Sequence, residues 1–105
     1  MALPKHGEVW LAVVDKPRPV VILTRDVAIP RLRRVTVAPI TSTIRGLSTE
    51  VPVGPEVGLE HESVISCDNL QTIGRDALKH RLGVLEISAR HALYRAVRIA
   101  LDLPT

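Results

Sequence analysis

A change in apolar spacing part-way along the chain limits its fold more than any other feature. From Glu8 to Ile73, apolar residues come in short runs closed by prolines, glycines and hydroxyl clusters; from Ala89 to Leu103 they follow a helical period. Glu8–Val14 reads as a first strand, with Gly7 freeing the turn before it. Lys16-Pro17-Arg18-Pro19 reads as a tight connection, because two prolines so close cannot sit in a central ladder. Val20–Thr24 is a nearly all-apolar second strand, suited to burial on both faces. Asp26–Leu32 reads as a loop or a short helical turn broken by Pro30, and Arg34–Ile40 alternates cleanly as a third strand. Glu50–Val53 fits a short edge strand that tolerates Pro52. Gly54–Leu59 is turn-rich, Ser63–Cys67 is a fifth strand, and Asn69–Ile73 continues as a sixth after a bend at Asp68. Five or six short strands with tight turns predict a mainly β (α+β) fold, a small barrel or strongly curled sheet with a C-terminal α-helix.

In that helix Ser88 is the expected N-cap, and Ile87 is placed to pack onto the first turn. His91, Arg95, Arg98 and Asp102 form one polar stripe, while Leu93, Ala96, Val97, Ile99, Ala100 and Leu103 fill most of the remainder. An apolar arc that wide exceeds one contact face and points to a second subunit. With 105 residues and no repeat, low-complexity tract or linker, the chain reads as one domain over residues 1–105.

Composition narrows the function. One Trp, one Tyr and no Phe cannot build the stacked aromatic platform on which many nucleic-acid-binding domains hold bases. Contact with bases must come from arginines, hydroxyls, amides and backbone. The net charge is +3, and 11 of the 14 cations are arginines. Arg31, Arg33, Arg34 and Arg45 gather around Val35–Thr43, while Glu50, Glu56, Glu60 and Glu62 make the following stretch acidic. Separated poles of this kind steer a polyanion to one side or bind an acidic partner. Cys67 is the lone cysteine, so no intrachain disulfide and no cysteine-based zinc site can form. Met1–Gly7 lacks the apolar core of a signal peptide, and no apolar run approaches membrane-spanning length. The cytoplasm is the expected compartment, without a membrane partner.

Two segments carry the chemistry. Arg18-Pro19-Val20-Val21-Ile22-Leu23-Thr24 opens an apolar strand with an arginine, and Val35–Thr43 ends an alternating strand in Thr41-Ser42-Thr43. An arginine at the mouth of one strand and a threonine at the exit of its neighbour can converge on one point. Arginine suits a phosphate and threonine hydrogen-bonds its oxygens, so the pair suggests phosphodiester chemistry. Taken singly, each has a simpler origin: arginines at strand starts are commonly surface residues, and hydroxyls favour strand ends and turns. Cys67 with His61 or His80 resembles a thiol nucleophile with its base, but a free cysteine in an apolar run is more often a small buried hydrophobe. Histidines 6, 61, 80 and 91 show no paired ligand spacing, so no metal site is expected. No glycine pair has the spacing of a phosphate loop.

The order of these segments carries a resemblance. Gly7-Glu8-Val9-Trp10, Arg18–Leu23, Val37-Ala38-Pro39-Ile40-Thr41-Ser42, Gly58-Leu59, Ser63-Val64-Ile65 and Asp68–Ile73 together resemble the MazF/PemK family, the ribosome-independent endoribonucleases of type II toxin–antitoxin pairs. The match runs through about the first seventy-five residues; the rest fits the family's closing strand and helix in pattern. The resemblance implies an SH3-like barrel, a homodimer with single-stranded RNA at the dimer interface, and no cofactor. It places the catalytic pair on Arg18 and Thr41, and RNA contacts on Lys16, Ser42, Thr43, Asp68, Asn69 and Gln71. Two departures stand out. Asp15-Lys16-Pro17 is nearly all that remains of a longer family loop, and Ser66 stands where some members have arginine. The short loop implies a more open groove, and together the two leave the cleavage sequence and the class of RNA unspecified.

The implied chemistry needs no metal. The ribose 2′-hydroxyl attacks the adjacent phosphorus, leaving a 2′,3′-cyclic phosphate and a 5′-hydroxyl, and DNA is spared because it lacks that hydroxyl. Arg18 would hold two phosphoryl oxygens and Thr41 would orient the same phosphate. The base is unassigned, with Asp68 as a candidate. A cognate antitoxin with an apolar, acidic tail is the expected partner. The alternative is a non-catalytic toxin resembling CcdB, which acts on DNA gyrase through protein contacts and has no use for Arg18 with Thr41. An inert SH3-like adaptor would need an aromatic groove that one Trp and one Tyr cannot line.

Overall fold

In the computed structural model, which describes residues 3–104, β1 (Glu8–Val13) and β2 (Pro17–Ile22) form an antiparallel hairpin around Val14-Asp15-Lys16. The second strand thus starts at Pro17, three residues before the run predicted for it, and absorbs most of the expected connection. Its prolines are tolerated for a geometric reason. Leu23 N–H donates to Thr36 O at 2.9 Å, so odd-numbered residues of β2 turn their amide positions toward the third strand. That ladder covers only Val20–Ile22 of β2. Pro17 and Pro19 therefore turn their missing donors toward the stretch beyond the end of that ladder, where no bond is asked of them, while Val13 and Leu11 pair with them from the other side.

The third strand, β3 (Arg34–Thr41), is the organising element. β2 lies on one flank; the other is shared by β5 (Ser63–Ser66), opposite Ile40 and Thr41, and β6 (Gln71–Gly74), opposite Arg34–Val37. Pro39 falls in the changeover between them, where no ladder bond is asked of it. β4 (Glu50–Val53) is an edge strand, as predicted, and pairs β5, while β7 (Leu78–Val84) pairs β1 with two register shifts. The strand order is β4-β5-β3-β2-β1-β7 with β6 beside β3, antiparallel throughout. No ladder joins β7 back to β4 among the described residues, so the sheet curls without closing. β5 ends before Cys67 because Cys67–Asn69 makes a 3₁₀ turn, whose first N–H donates to Thr49 O at 3.0 Å. Pro30 sits in the first turn of a 3₁₀ segment, Ile29–Arg31, where it starts the turn rather than breaking it.

Alternate residues of β1, β2 and β3 feed two cores. On one face α1 (Ile87–Leu101) lays Leu93 and Ala96 against Val9, Val21, Ala38, Ile40, Ile65 and Leu85. The other face packs Trp10, Ala12, Val20, Ile22, Ile29, Val35, Val37, Ile73 and Leu78 together. The run Val20-Val21-Ile22 is buried on both sides for this reason, each side chain contributing about 1.5–3 kcal/mol by leaving water. The helix departs from expectation at both ends. Glu86, not Ser88, is its N-cap and makes no side-chain cap bond; Ile87 is 73% exposed and staples nothing. Asp102 stops the helix in the left-handed region (φ 54°), so Leu103 lies beyond it.

Two polar clusters tie these layers together. The buried Glu8 carboxylate accepts from Lys5 N–H and Trp10 Nε1–H and pairs with Arg81. His6 bridges Leu23 O and the Tyr94 hydroxyl of α1 at 2.9 and 2.7 Å. Both large aromatics are thereby engaged in the fold. The 3₁₀ turn Pro55–Val57 crosses β7 with two glycines at the crossing. A Cβ on Gly58 would lie 2.2 Å from Leu82 O, and one on Gly83 would lie 2.4 Å from Val57 O. Among the described residues no helix is long and apolar enough to cross a membrane.

Candidate functional site

Strand register brings the two sequence segments together. Val20 pairs with Pro39 in the β2–β3 ladder. Two residues further along, that register sets Arg18 abreast of Thr41, with both side chains on the face that carries Val20 and Pro39. Arg18 is exposed, Thr41 half-buried, and both line two adjoining depressions. Lys16 and Ser42 join them in one, beside Leu59, Glu60 and His61. Thr43, Asp68, Asn69 and Gln71 join them in the other, a groove of ≈ 500 Å³. A third hollow on the far side of Arg18 is lined by Asp15, Lys16 and Gln71. The residues singled out in the sequence therefore line one connected surface centred on Arg18.

The chemistry of that surface is open to an anion. Arg18 makes no ion pair or side-chain hydrogen bond among the described residues, so its fork of donors faces solvent. Thr41 Oγ1 accepts the Thr43 N–H at 3.1 Å, which leaves its own O–H free to donate. Asp68, which lines the groove, accepts the hydroxyl of buried Thr49 on Oδ2 at 2.5 Å. Asn69 is held by a bond to Ser66 Oγ at 2.8 Å.

A family model described as "PemK-like, MazF-like toxin of type II toxin-antitoxin system" matches residues 5–101. The chain belongs to this PemK/MazF toxin family. It is 53% identical to "Endoribonuclease MazF3" of Mycobacterium tuberculosis over 95 residues, covering 90% of this chain and 92% of that protein. It is 43% identical to "Probable endoribonuclease MazF5" of the same species over 105 residues, covering 96% and 95%. Among solved structures, "Mycobacterium tuberculosis toxin MazF-mt6" superposes with a TM-score of 0.90 at 51% identity, covering 93% of this chain and 99% of that one. An "Endoribonuclease in complex with its cognate antitoxin from Mycobacterial species" superposes at 0.87 with 27% identity, covering 97% and 98%. The gyrase-directed alternative is not favoured by these relatives.

The structure of this PemK/MazF toxin also alters the expected charge map. Arg31, Arg33 and Arg34 lie at the start of β3 and Arg45 beyond its end, so the four do not form one cluster. Nor are the poles cleanly separated, because Glu50 and Glu60 both line the groove surface. Glu50 acts locally, its Oε1 accepting the N–H groups of Arg45, Gly46 and Leu47 at 3.1, 2.9 and 3.1 Å. This nest fixes the loop after Thr43 and holds Arg45 and Leu47 on the groove wall. Neither residue was singled out from sequence as site-lining; Gly46 followed by Glu50, a turn glycine with an acceptor four residues on, is the local signal that marks such a loop.

Cys67 is not a nucleophile. It is 1% exposed, and burial followed by the Asp68 charge pushes its thiol from 9.0 up to about 11. Iodoacetamide is expected to leave it unmodified at neutral pH unless the chain is unfolded. Since the folded state holds this proton more tightly than the unfolded one, Cys67 takes nothing from stability below pH 9. Stability then falls as pH rises from 9 toward 11, which urea titrations across that window will register.

Proposed function

We propose that Arg18 and Thr41 carry the RNA cleavage of this toxin, acting together on one phosphate. That the chain is an endoribonuclease toxin of a type II toxin–antitoxin system follows from its family and from relatives 53% and 43% identical over nearly its whole length. The observation that supports the assignment of roles is the juxtaposition of an unpaired, exposed Arg18 with the free hydroxyl of Thr41 at one end of the β2–β3 ladder.

In the proposed step the 2′-oxygen bonds to phosphorus as its proton leaves, and the bond from phosphorus to the 5′-oxygen breaks as that oxygen gains a proton. Arg18 donates two N–H bonds to the non-bridging oxygens, where charge accumulates. Thr41 O–H donates to the same phosphate. Asp68, a carboxylate on the same groove, is the candidate to accept the 2′-proton. Lys16, Ser42, Thr43, Asn69 and Gln71 line the flanking surface and would hold adjoining nucleotides through polar contacts, since Trp10 and Tyr94 are engaged elsewhere.

The described fold would act as one toxin domain, in the cytoplasm where its RNA is. A homodimer is supported by the apolar side chains that α1 and its end leave exposed, Ile99, Leu101 and Leu103. An antitoxin partner is supported by the complex of the 27%-identical structural relative, and an acidic, apolar tail would suit the Arg18–Leu47 groove. The testing experiment is cleavage of a labelled single-stranded RNA and its all-deoxy counterpart in EDTA. Cleavage of RNA alone, with 2′,3′-cyclic phosphate ends, is expected. Cleavage of both strands, or loss of activity in EDTA, would remove the mechanism.

A further inference from the structure

We propose that Arg33, Arg34 and Arg75 form a second phosphate-binding site, which grips the RNA backbone outside the cleavage groove. The proposal rests on RNA being the substrate but not on the roles of Arg18 and Thr41. Arg34 and Thr41 stand at opposite ends of β3, about 23 Å apart at ~3.3 Å per residue. The far end is built by backbone pairing: Arg34 lies opposite Gly74, and Arg75 N–H donates to Arg33 O at 2.8 Å. A hollow of ≈ 540 Å³ results, lined by Arg33, Arg34, Gly74, Arg75 and Asp76.

Charge and shape in that hollow suit a polyanion. Three arginines and one aspartate line it, and neither Arg33 nor Arg34 makes an ion pair or a side-chain hydrogen bond among the described residues. Holding like charges together is unfavourable until an anion joins them. Arg75 is already positioned, because its Nη1 donates to Ile29 O at 3.1 Å and leaves the rest of its fork free. The lining contains no apolar side chain, whereas a docked peptide tail would ask for one. A phosphate backbone asks only for charge and donors.

The hollow and the groove lie at the two ends of β6. Gln71 opens β6 and lines the groove with Arg18 and Thr41, and Arg75 follows its last residue, Gly74, in a 3₁₀ turn. β6 pairs only with β3, so no strand is laddered to its outer edge among the described residues. An RNA whose scissile phosphate sits at Arg18 can lay a more distant phosphate at Arg33–Arg34.

The test compares binding of two uncleavable 2′-O-methyl RNAs, one spanning both places and one filling the groove alone, by the unaltered toxin and the Arg33→Gln/Arg34→Gln double variant. Both replaced side chains are exposed, and an unchanged melting temperature will verify folding. The double variant is expected to bind the long strand about tenfold more weakly and to lower the log–log salt slope by about 1.4, at ~0.7 per lost phosphate contact. Binding of the short strand, and kcat on its cleavable counterpart, should not change. Unaltered binding of the long strand overturns the proposal, as does an equal loss on both lengths. It is also overturned if the variant escapes its antitoxin while long RNA binds normally, which would make the hollow a docking place for an acidic protein. Because 2′-O-methyl strands report binding alone, a failure of the cleavage mechanism cannot imitate any of these results.

Discussion

Arg18→Ala is expected to cleave single-stranded RNA at least ~100-fold more slowly than the unaltered toxin, the range a positioned charge stabiliser supplies. The loss should fall on kcat more than on KM. Lys16, Arg45 and the flanking hydroxyls still attract the strand, while the developing phosphoryl charge loses its fork of donors. Arg18→Lys keeps the charge without the planar pair of donors and should recover only a part of the rate. Thr41→Ala removes a single neutral donor and should cost less than Arg18→Ala, with Thr41→Ser recovering most of the difference. Folding is not at stake, since Arg18 is exposed and makes no ion pair or side-chain hydrogen bond among the described residues. Single-turnover cleavage of an end-labelled RNA measures all four. Arg18→Ala cutting as fast as the unaltered protein would leave the site without its centre.

Gly58→Ala should be the most damaging small change in the fold, at about 3–5 kcal/mol, the sum of left-handed strain and overpacking. Its φ is +87°, and the added Cβ would meet Leu82 O at 2.2 Å and Leu82 C at 2.8 Å, both backbone atoms that cannot swing aside. Gly46 supplies the control. Its φ is +76° but nothing lies within 4 Å of its Cβ position, so Gly46→Ala carries the strain alone, about 1 kcal/mol. Urea unfolding of both variants separates steric clash from backbone strain. Equal losses would mean that the crossing of Pro55–Val57 over β7 is not close-packed. A domain of this size holds only about 5–15 kcal/mol in total, so Gly58→Ala is also expected to express poorly.

What the sequence revealed and what it hid divide along physical lines. β3 and β4 were legible because both leave a period-two trace, and Thr41 was legible as the polar stop of such a strand. The start of β2 was misread because a proline's exclusion from ladders depends on which flank is paired, and that is a fact of topology. β7 left no continuous apolar trace: exposed Lys79, His80 and Arg81 separate Leu78 from Leu82, and only the family pattern implied a closing strand. The helix start was misplaced because Ser88 has the right chemistry for a cap, while the chain turns helical two residues earlier, after Glu86. At the site, the residues that the family resemblance pointed to line the same surface. The charge map failed because Arg34 and Arg45 lie near in sequence yet flank opposite ends of an extended strand.

The prolines on either side of Arg18 also govern what can cover it. An unpaired strand flank usually serves as a template on which another chain lays itself down, bond by bond, as an extra strand. Along Pro17-Arg18-Pro19 that flank presents carbonyls but, at both prolines, no hydrogen to donate. Main-chain pairing along this flank is denied at both prolines, to the end of β3 alongside as much as to an added chain. Whatever blocks Arg18 must reach it with side chains, and its grip will depend on their identity.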